Sequence, residues 1–245
     1  MRKIIELKVD DLTPTRMEVL EAQGMANRQT LPPAIEGLLE KALDLFRKLA
    51  EPKGLLQDVT LPDFESIYEG NGNCEAPVPM IVPKADTLAL FAATLGSPLI
   101  EESSNLFTKG GASLGFMLDA VNTSAAERMG RLMCRNFFGL LPEQKRNGNT
   151  RVQYYCPGHC GWEIAGQTKL FATLKPEEIG VTLNSRQVMQ PIKSLSGVLI
   201  AGNLEIHRFQ PAFSFCPQCR ERKCVSRLRL LENENLITDA PWKTF

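Results

Sequence analysis

Arg151-Val-Gln-Tyr154-Tyr155-Cys156-Pro157-Gly158-His159-Cys160-Gly161-Trp162 changes character half-way along. Arg151–Tyr155 is rich in residues that favour extended backbone and predicts a strand, which Cys156-Pro157-Gly158 breaks. Beyond it, Ile164, Leu170, Phe171 and Leu174 fall on one side of a helix predicted over Glu163–Leu174. Ile179–Leu183, Gln187–Met189 and Val198–Ala201 then read as strands, with Ile206–Phe209 as a further one.

Upstream of that stretch the pattern is mostly helical. Residues 3–9 predict a strand, and Thr13-Pro14 opens a short helix that ends near Gly24. A longer helix runs from Pro33 to about Ala50, where Ile35, Leu38, Leu39, Ala42, Leu45, Phe46 and Leu49 form one apolar stripe. Val59–Tyr68 and Met80–Val82 read as strands around the turn-rich Glu69-Gly-Asn-Gly-Asn. Asp86 caps a helix expected over Thr87–Leu95, stopped by Gly96. Another helix spans Pro98–Phe107, and a long one runs from about Ser113 to Phe138. Gly110-Gly111 between them reads as a turn, because neither a P-loop nor a dinucleotide fingerprint surrounds it. Pro142–Asn149 is a polar linker. Helices and strands are segregated without regular alternation, which predicts an α+β fold.

Composition narrows the function classes. The chain has 245 residues, with 28 Lys plus Arg against 28 Asp plus Glu. That balance leaves no electrostatic footprint for nucleic acid or an anionic membrane. The basic stretch Arg220–Arg229 reads as a solvated helix face. Met1–Asp10 alternates charged and apolar residues and predicts a strand, not a signal peptide. No run approaches the ~20 apolar residues that span a bilayer, so a cytoplasmic protein is expected.

In that compartment cysteines read as reduced thiols, metal ligands or redox groups. Five of the seven lie beyond residue 155: Cys156, Cys160, Cys216, Cys219 and Cys224. Cys216-Pro-Gln-Cys219 brings two sulfurs to one centre, and Cys224 follows after four residues. Tetrahedral zinc and a four-iron cluster both take four ligands, so this run is one short. Cys160 or Cys156 would complete it, with His159 a donor for zinc and Cys74 a remote candidate. All-thiolate ligation suits iron–sulfur and zinc alike. His159 and His207 are the two histidines, and no Ser/His/Asp set or carboxylate pair supports hydrolysis. Tyr154, Tyr155 and Trp162 surround the Pro157-Gly158 turn, where aromatic walls and close backbone approach suit a flat ligand.

Pro157-Gly-His-Cys-Gly-Trp162, Thr182-Leu183 and Met189-Gln-Pro-Ile-Lys-Ser-Leu-Ser-Gly197 resemble the reactivation domain of cobalamin-dependent methionine synthase. They resemble more closely the stand-alone activation proteins of that family. Pro83–Gly96 and Leu118–Glu127 add to the likeness, and the cysteine run resembles the tail of the stand-alone proteins. The resemblance implies a C-shaped single α+β domain, with helices packed on a twisted antiparallel sheet. A domain over residues 1–205, helix-rich over 1–140, would carry a cysteine-rich tail, 206–245, packed on it. The family binds S-adenosylmethionine and presents its methyl group to inactive cob(II)alamin as an electron arrives from a reductase or flavodoxin.

The likeness therefore implies reactivation of a corrinoid-dependent methyltransferase, such as methionine synthase, met in trans. Flavodoxin or ferredoxin would supply electrons. Cobalamin would come only through the partner, because the corrinoid-binding Asp-x-His-x-x-Gly signature is absent. The alternative is a metal-binding electron-transfer or structural subunit that binds no S-adenosylmethionine. Ligand-binding positions carried over are Tyr154, Tyr155, Cys156, Pro157, Gly158 and His159. The family keeps Arg where Tyr154 stands and Tyr where His159 stands. Its Thr-Leu-Thr-Glu-Ser has Ser185 and Arg186 at the last two positions here. Weak S-adenosylmethionine binding is therefore expected unless Arg151 or Arg186 substitutes.

Overall fold

The computed structural model describes residues 1–25, 31–70 and 76–207. Cys74, Cys216, Cys219 and Cys224 lie outside that range, as does most of the predicted tail. Among the described residues, five strands form one antiparallel sheet: β1 (Arg2–Glu6), β2 (Lys53–Val59), β3 (Thr87–Thr94), β4 (Thr150–Tyr155) and β7 (Ser194–Asn203). Their order across the sheet is β1-β2-β3-β7-β4. A separate short ladder pairs β5 (Thr182–Leu183) with β6 (Met189–Gln190). The helices are α1 (Val9–Leu12), α2 (Arg16–Ala22), α3 (Pro33–Leu49), α4 (Leu61–Ile67), α5 (Pro77–Ile81), α6 (Ser97–Thr108), α7 (Ala112–Leu140), α8 (Gly166–Leu174) and α9 (Leu204–His207).

The sheet separates two apolar cores. On one face, α2, α3, α6 and α7 enclose Phe46, Leu56, Phe91, Met129, Met133 and Phe137. On the other, α4, α5 and α8 cover Leu55, Phe64, Leu90, Trp162, Leu170 and Ile200. Consecutive residues of a strand point to opposite faces, so Leu55 and Leu56 feed different cores. The apolar stripe of α3 buries Leu39, Ala42 and Phe46 against α7 as its periodicity requires.

Four predicted elements change identity. Thr87–Thr94 is a strand, not a helix, and it is the centre of the sheet. It contributes Ala89, Phe91 and Ala93 to one core and Leu88, Leu90 and Ala92 to the other. Burial on both faces removes the alternation that normally marks a strand, so its apolar run imitates a buried helix. Val59–Tyr68 is the end of β2 followed by α4, whose Thr60 cap accepts the Asp63 backbone N–H and whose Pro62 sits in the first turn. Met80–Val82 closes α5 and enters a 3-10 turn. At the end of the described chain, Leu204–His207 is a helical turn where a strand was expected from Ile206.

The α2 start is clamped onto α7 through one carboxylate. Glu18 accepts the backbone N–H of Thr15 at 2.7 Å, completing a capping box. It also receives Arg128 Nη1 at 2.7 Å and Arg131 Nη2 at 3.2 Å. Burial pushes the Glu18 carboxyl up, but the bonds from Thr15 and Arg128 and the arginine charge outweigh it and hold the group below the usual carboxylate range.

Candidate functional site

β4 and the turn after it form the structural centre of the predicted site. Tyr155 pairs with Val198 of β7, and the chain then folds back across β7 at Gly197. A Cβ built on Gly197 would lie 2.1 Å from the Tyr155 carbonyl oxygen, so only glycine admits that crossing. The turn is tied to itself: His159 N–H donates to the Cys156 carbonyl, Gly158 N–H to the Trp162 carbonyl at 2.7 Å, and Trp162 N–H to the His159 carbonyl. Gly158, Cys160 and Gly161 all have positive φ, at 90°, 54° and 84°.

A second segment pins the turn from outside. Tyr68 Oη donates to the Gly161 carbonyl at 2.7 Å, Val78 N–H to the Cys160 carbonyl at 3.2 Å, and Glu163 N–H to the Glu69 carbonyl at 2.7 Å. Gly70 bridges Trp162, and a Cβ on Gly161 would strike that of Ala76. Such over-determination holds a non-glycine residue, Cys160, in the left-handed region at a cost of order 1–3 kcal/mol.

The predicted ligand residues separate into two sets. Tyr155 and Trp162 are core residues at 2% and 1% exposure. Trp162 meets Phe64 edge-on at 5.2 Å, and Tyr154 packs edge-on against Phe91 at 6.1 Å. These rings hold the turn to the sheet. Gly158 and His159 are exposed, beside buried Pro157 and half-buried Cys156, so backbone is what the turn presents. Arg151 lies at the far end of β4, roughly 14 Å along the strand from Tyr155, and Arg151 Nη1 donates to the Gly148 and Thr150 carbonyls. Arg186 sits in the hairpin turn between β5 and β6, with an exposed side chain. Met189–Gly197, a stretch that carries the family resemblance, reaches the turn through Gly197.

Two features near β7 were not singled out as site residues. Lys193 Nζ, largely buried, lies 3.0 Å from Asp119 Oδ1 and 2.9 Å from Thr123 Oγ1 on α7. One helical step away, Asn122 is fully buried with neither amide atom hydrogen-bonded. The signal was present: an asparagine at a position where α7's periodicity calls for an apolar residue. Ser196, on the opposite face of β7, is also buried with an unbonded hydroxyl. A cavity of about 170 Å³, lined by residues including Glu51, Lys53, Thr94, Ser97, Glu178 and Pro191, contains none of the predicted site residues.

No protein-family model and no curated protein matches the chain. Thirteen chains of solved structures do. One is a crystal structure of the MetH reactivation domain bound to AdoHcy, with a TM-score of 0.59 and 17% identity. The match covers 82% of this chain and 78% of that one. The likeness is one of fold. It agrees with the α+β architecture and antiparallel sheet that the sequence predicts. Among the described residues no cluster of three or more His, Cys, Asp or Glu could hold a metal, and no helix is long and apolar enough to cross a membrane.

Proposed function

We propose that this protein is a cytoplasmic accessory factor that reactivates a corrinoid-dependent methyltransferase, such as methionine synthase, supplied in trans. The observation that carries the reading is the fold likeness to a reactivation domain solved with AdoHcy, over most of both chains. The exposed Gly158-His159 backbone beyond the end of β4 is where an S-adenosylmethionine-type ligand would lie. One electron from a flavodoxin or ferredoxin and the methyl group of S-adenosylmethionine together convert the partner's cob(II)alamin to methylcobalamin, leaving S-adenosylhomocysteine. Arg151 is engaged at the other end of β4, so the turn has no guanidinium from that strand, and ligand affinity is expected to be low. The corrinoid must also visit its methyl donor and acceptor, which favours a modest interface and rapid exchange over a permanent complex.

The test mixes the protein with a cob(II)alamin-loaded methionine synthase, a reductant and S-adenosylmethionine, and follows the corrinoid absorbance. Growth of the methylcobalamin spectrum supports the reading. An unchanged cob(II)alamin spectrum with every cognate corrinoid protein leaves the structural-subunit alternative. The cysteine run adds a finer element to this reading, an iron–sulfur or zinc centre on Cys216, Cys219 and Cys224 with Cys160 or Cys156 as the fourth ligand.

A further inference from the structure

One end of the sheet carries polar side chains that the fold itself does not engage. Lys53 of β2 stands opposite Thr94 of β3, and Thr94 stands opposite Ser194 of β7. Directly paired residues share a face, here the face that bears Leu55 and Leu90. The 3-10 turn Pro176–Ile179 packs over this end of β2 and β3. Arg2 fixes it there, donating to Glu178 Oε2 at 2.8 Å and to the Leu174 carbonyl at 2.9 Å. The start of α6 packs beside Glu51: Gly96 has φ 93°, and a Cβ on it would lie 2.9 Å from that of Glu51. These elements enclose the cavity of about 170 Å³, which has room for a molecule of several non-hydrogen atoms and not only for a water.

Both charges line that cavity. Glu51 and Glu178 bring carboxylates and Lys53 an ammonium, while Ile179 and Pro191 add apolar surface. The bond from Arg2 holds the Glu178 carboxyl below the usual carboxylate range. Thr94, 2% exposed, is fixed by bonds from the Gly96 N–H at 3.1 Å and from Ser194 Oγ at 2.9 Å. Glu51 and Lys53, by contrast, bond neither each other nor any other side chain among the described residues, and the Ser97 hydroxyl is equally unengaged. All three are exposed, so the cavity is reached from solvent. A simple anion placed here would face two carboxylates, and a simple cation would face Lys53. A ligand that carries both charges a few atoms apart satisfies each wall with charge-assisted hydrogen bonds.

We propose that this cavity binds a free α-amino acid with a small apolar side chain, its carboxylate on Lys53 and Ser97, its ammonium between Glu51 and Glu178, and its side chain against Ile179 and Pro191. The site shares no residue with the turn after β4, and the inference stands apart from the reactivation role. Its test involves neither corrinoid nor S-adenosylmethionine. Full-length protein is titrated with L-alanine, L-valine and L-leucine by calorimetry, and saturable one-to-one binding is expected, with a raised thermal midpoint. Isobutylamine and isovalerate are L-valine without its carboxylate and without its ammonium. Each is expected to bind about tenfold more weakly or worse, as loss of a hydrogen bond between charged groups requires. Lys53→Met and Glu51→Gln are expected to lower L-valine affinity by a similar factor. Both variants should keep the unmodified midpoint in the absence of ligand, because neither side chain is bonded in the fold. No saturation with any of the three amino acids by about 10 mM, isobutylamine or isovalerate binding as well as L-valine, or undiminished affinity in either variant overturns the proposal.

Discussion

Gly197 shows how little freedom a single position near the site has. An added methyl group would sit 2.1 Å from the Tyr155 carbonyl oxygen, a backbone atom of the neighbouring strand β4. Gly197→Ala must therefore part β4 from β7 or distort the turn, and a loss of roughly 3 kcal/mol or more is expected in denaturant unfolding. A midpoint within experimental error of the unmodified protein would contradict the crossing described. Glu18 gives a second prediction at this scale. Its folded carboxyl titrates below the unfolded value, so its contribution is present above the unfolded pKa and is lost as pH falls through the folded one. Arg128→Ala should cost about 1–2 kcal/mol near neutral pH. That cost should shrink in acid as Glu18 is protonated, which a pH series of thermal midpoints would show.

Among the elements, β3 carries the sheet. Phe91 is fully buried and faces α7, while Leu90 faces the opposite core. Phe91→Ala is expected to cost about 3–5 kcal/mol and Leu90→Ala about 2–5 kcal/mol. As two-sided burial requires, both should be severe; if only one were, β3 would have one solvated face. The same geometry explains what could be read from the sequence. α3, α6 and α7 were legible because each buries one stripe, which leaves a 3.6-residue period in the apolar residues. β4 and its turn were legible because Pro157-Gly158 ends an extended run. β3 was not, since a strand covered on both faces keeps no alternation and Asp86 and Gly96 imitate helix caps. β2 was missed because its Gly54 and short apolar run resemble a loop, although Leu55 and Leu56 fill both cores. The aromatic side chains of the site were read by type, but their direction depends on strand parity and on α4, which the sequence showed as a strand.

For the molecule as a whole, the division into two cores decides what the turn can do. Both cores hold it from behind, through Tyr154 on one side and Tyr155 and Trp162 on the other. The outer surface left to a ligand is mostly backbone, with His159 and half-buried Cys156 beside it. Calorimetry with S-adenosylmethionine should accordingly give weak binding that Arg151→Ala leaves unchanged, because that guanidinium is engaged at the other end of β4. Tight binding lost in that variant would require the β4 start to rearrange.

The order of the strands has a consequence for how the protein is made. β7 is the last strand of the sheet in the chain, yet it lies between β3 and β4. Thr94 pairs with Ser194, a hundred positions later. Until β7 leaves the ribosome, β3 and β4 have no common neighbour, and β3 exposes an unpaired edge with apolar side chains on both faces. The nascent chain thus carries an aggregation-prone edge while the hundred positions between Thr94 and Ser194 are made. A chain stopped after Ile192 should remain insoluble or chaperone-bound, whereas one ending at His207 should yield a soluble, cooperatively unfolding domain. Comparing the soluble fractions of the two in a cell-free system would test whether the sheet closes late and all at once.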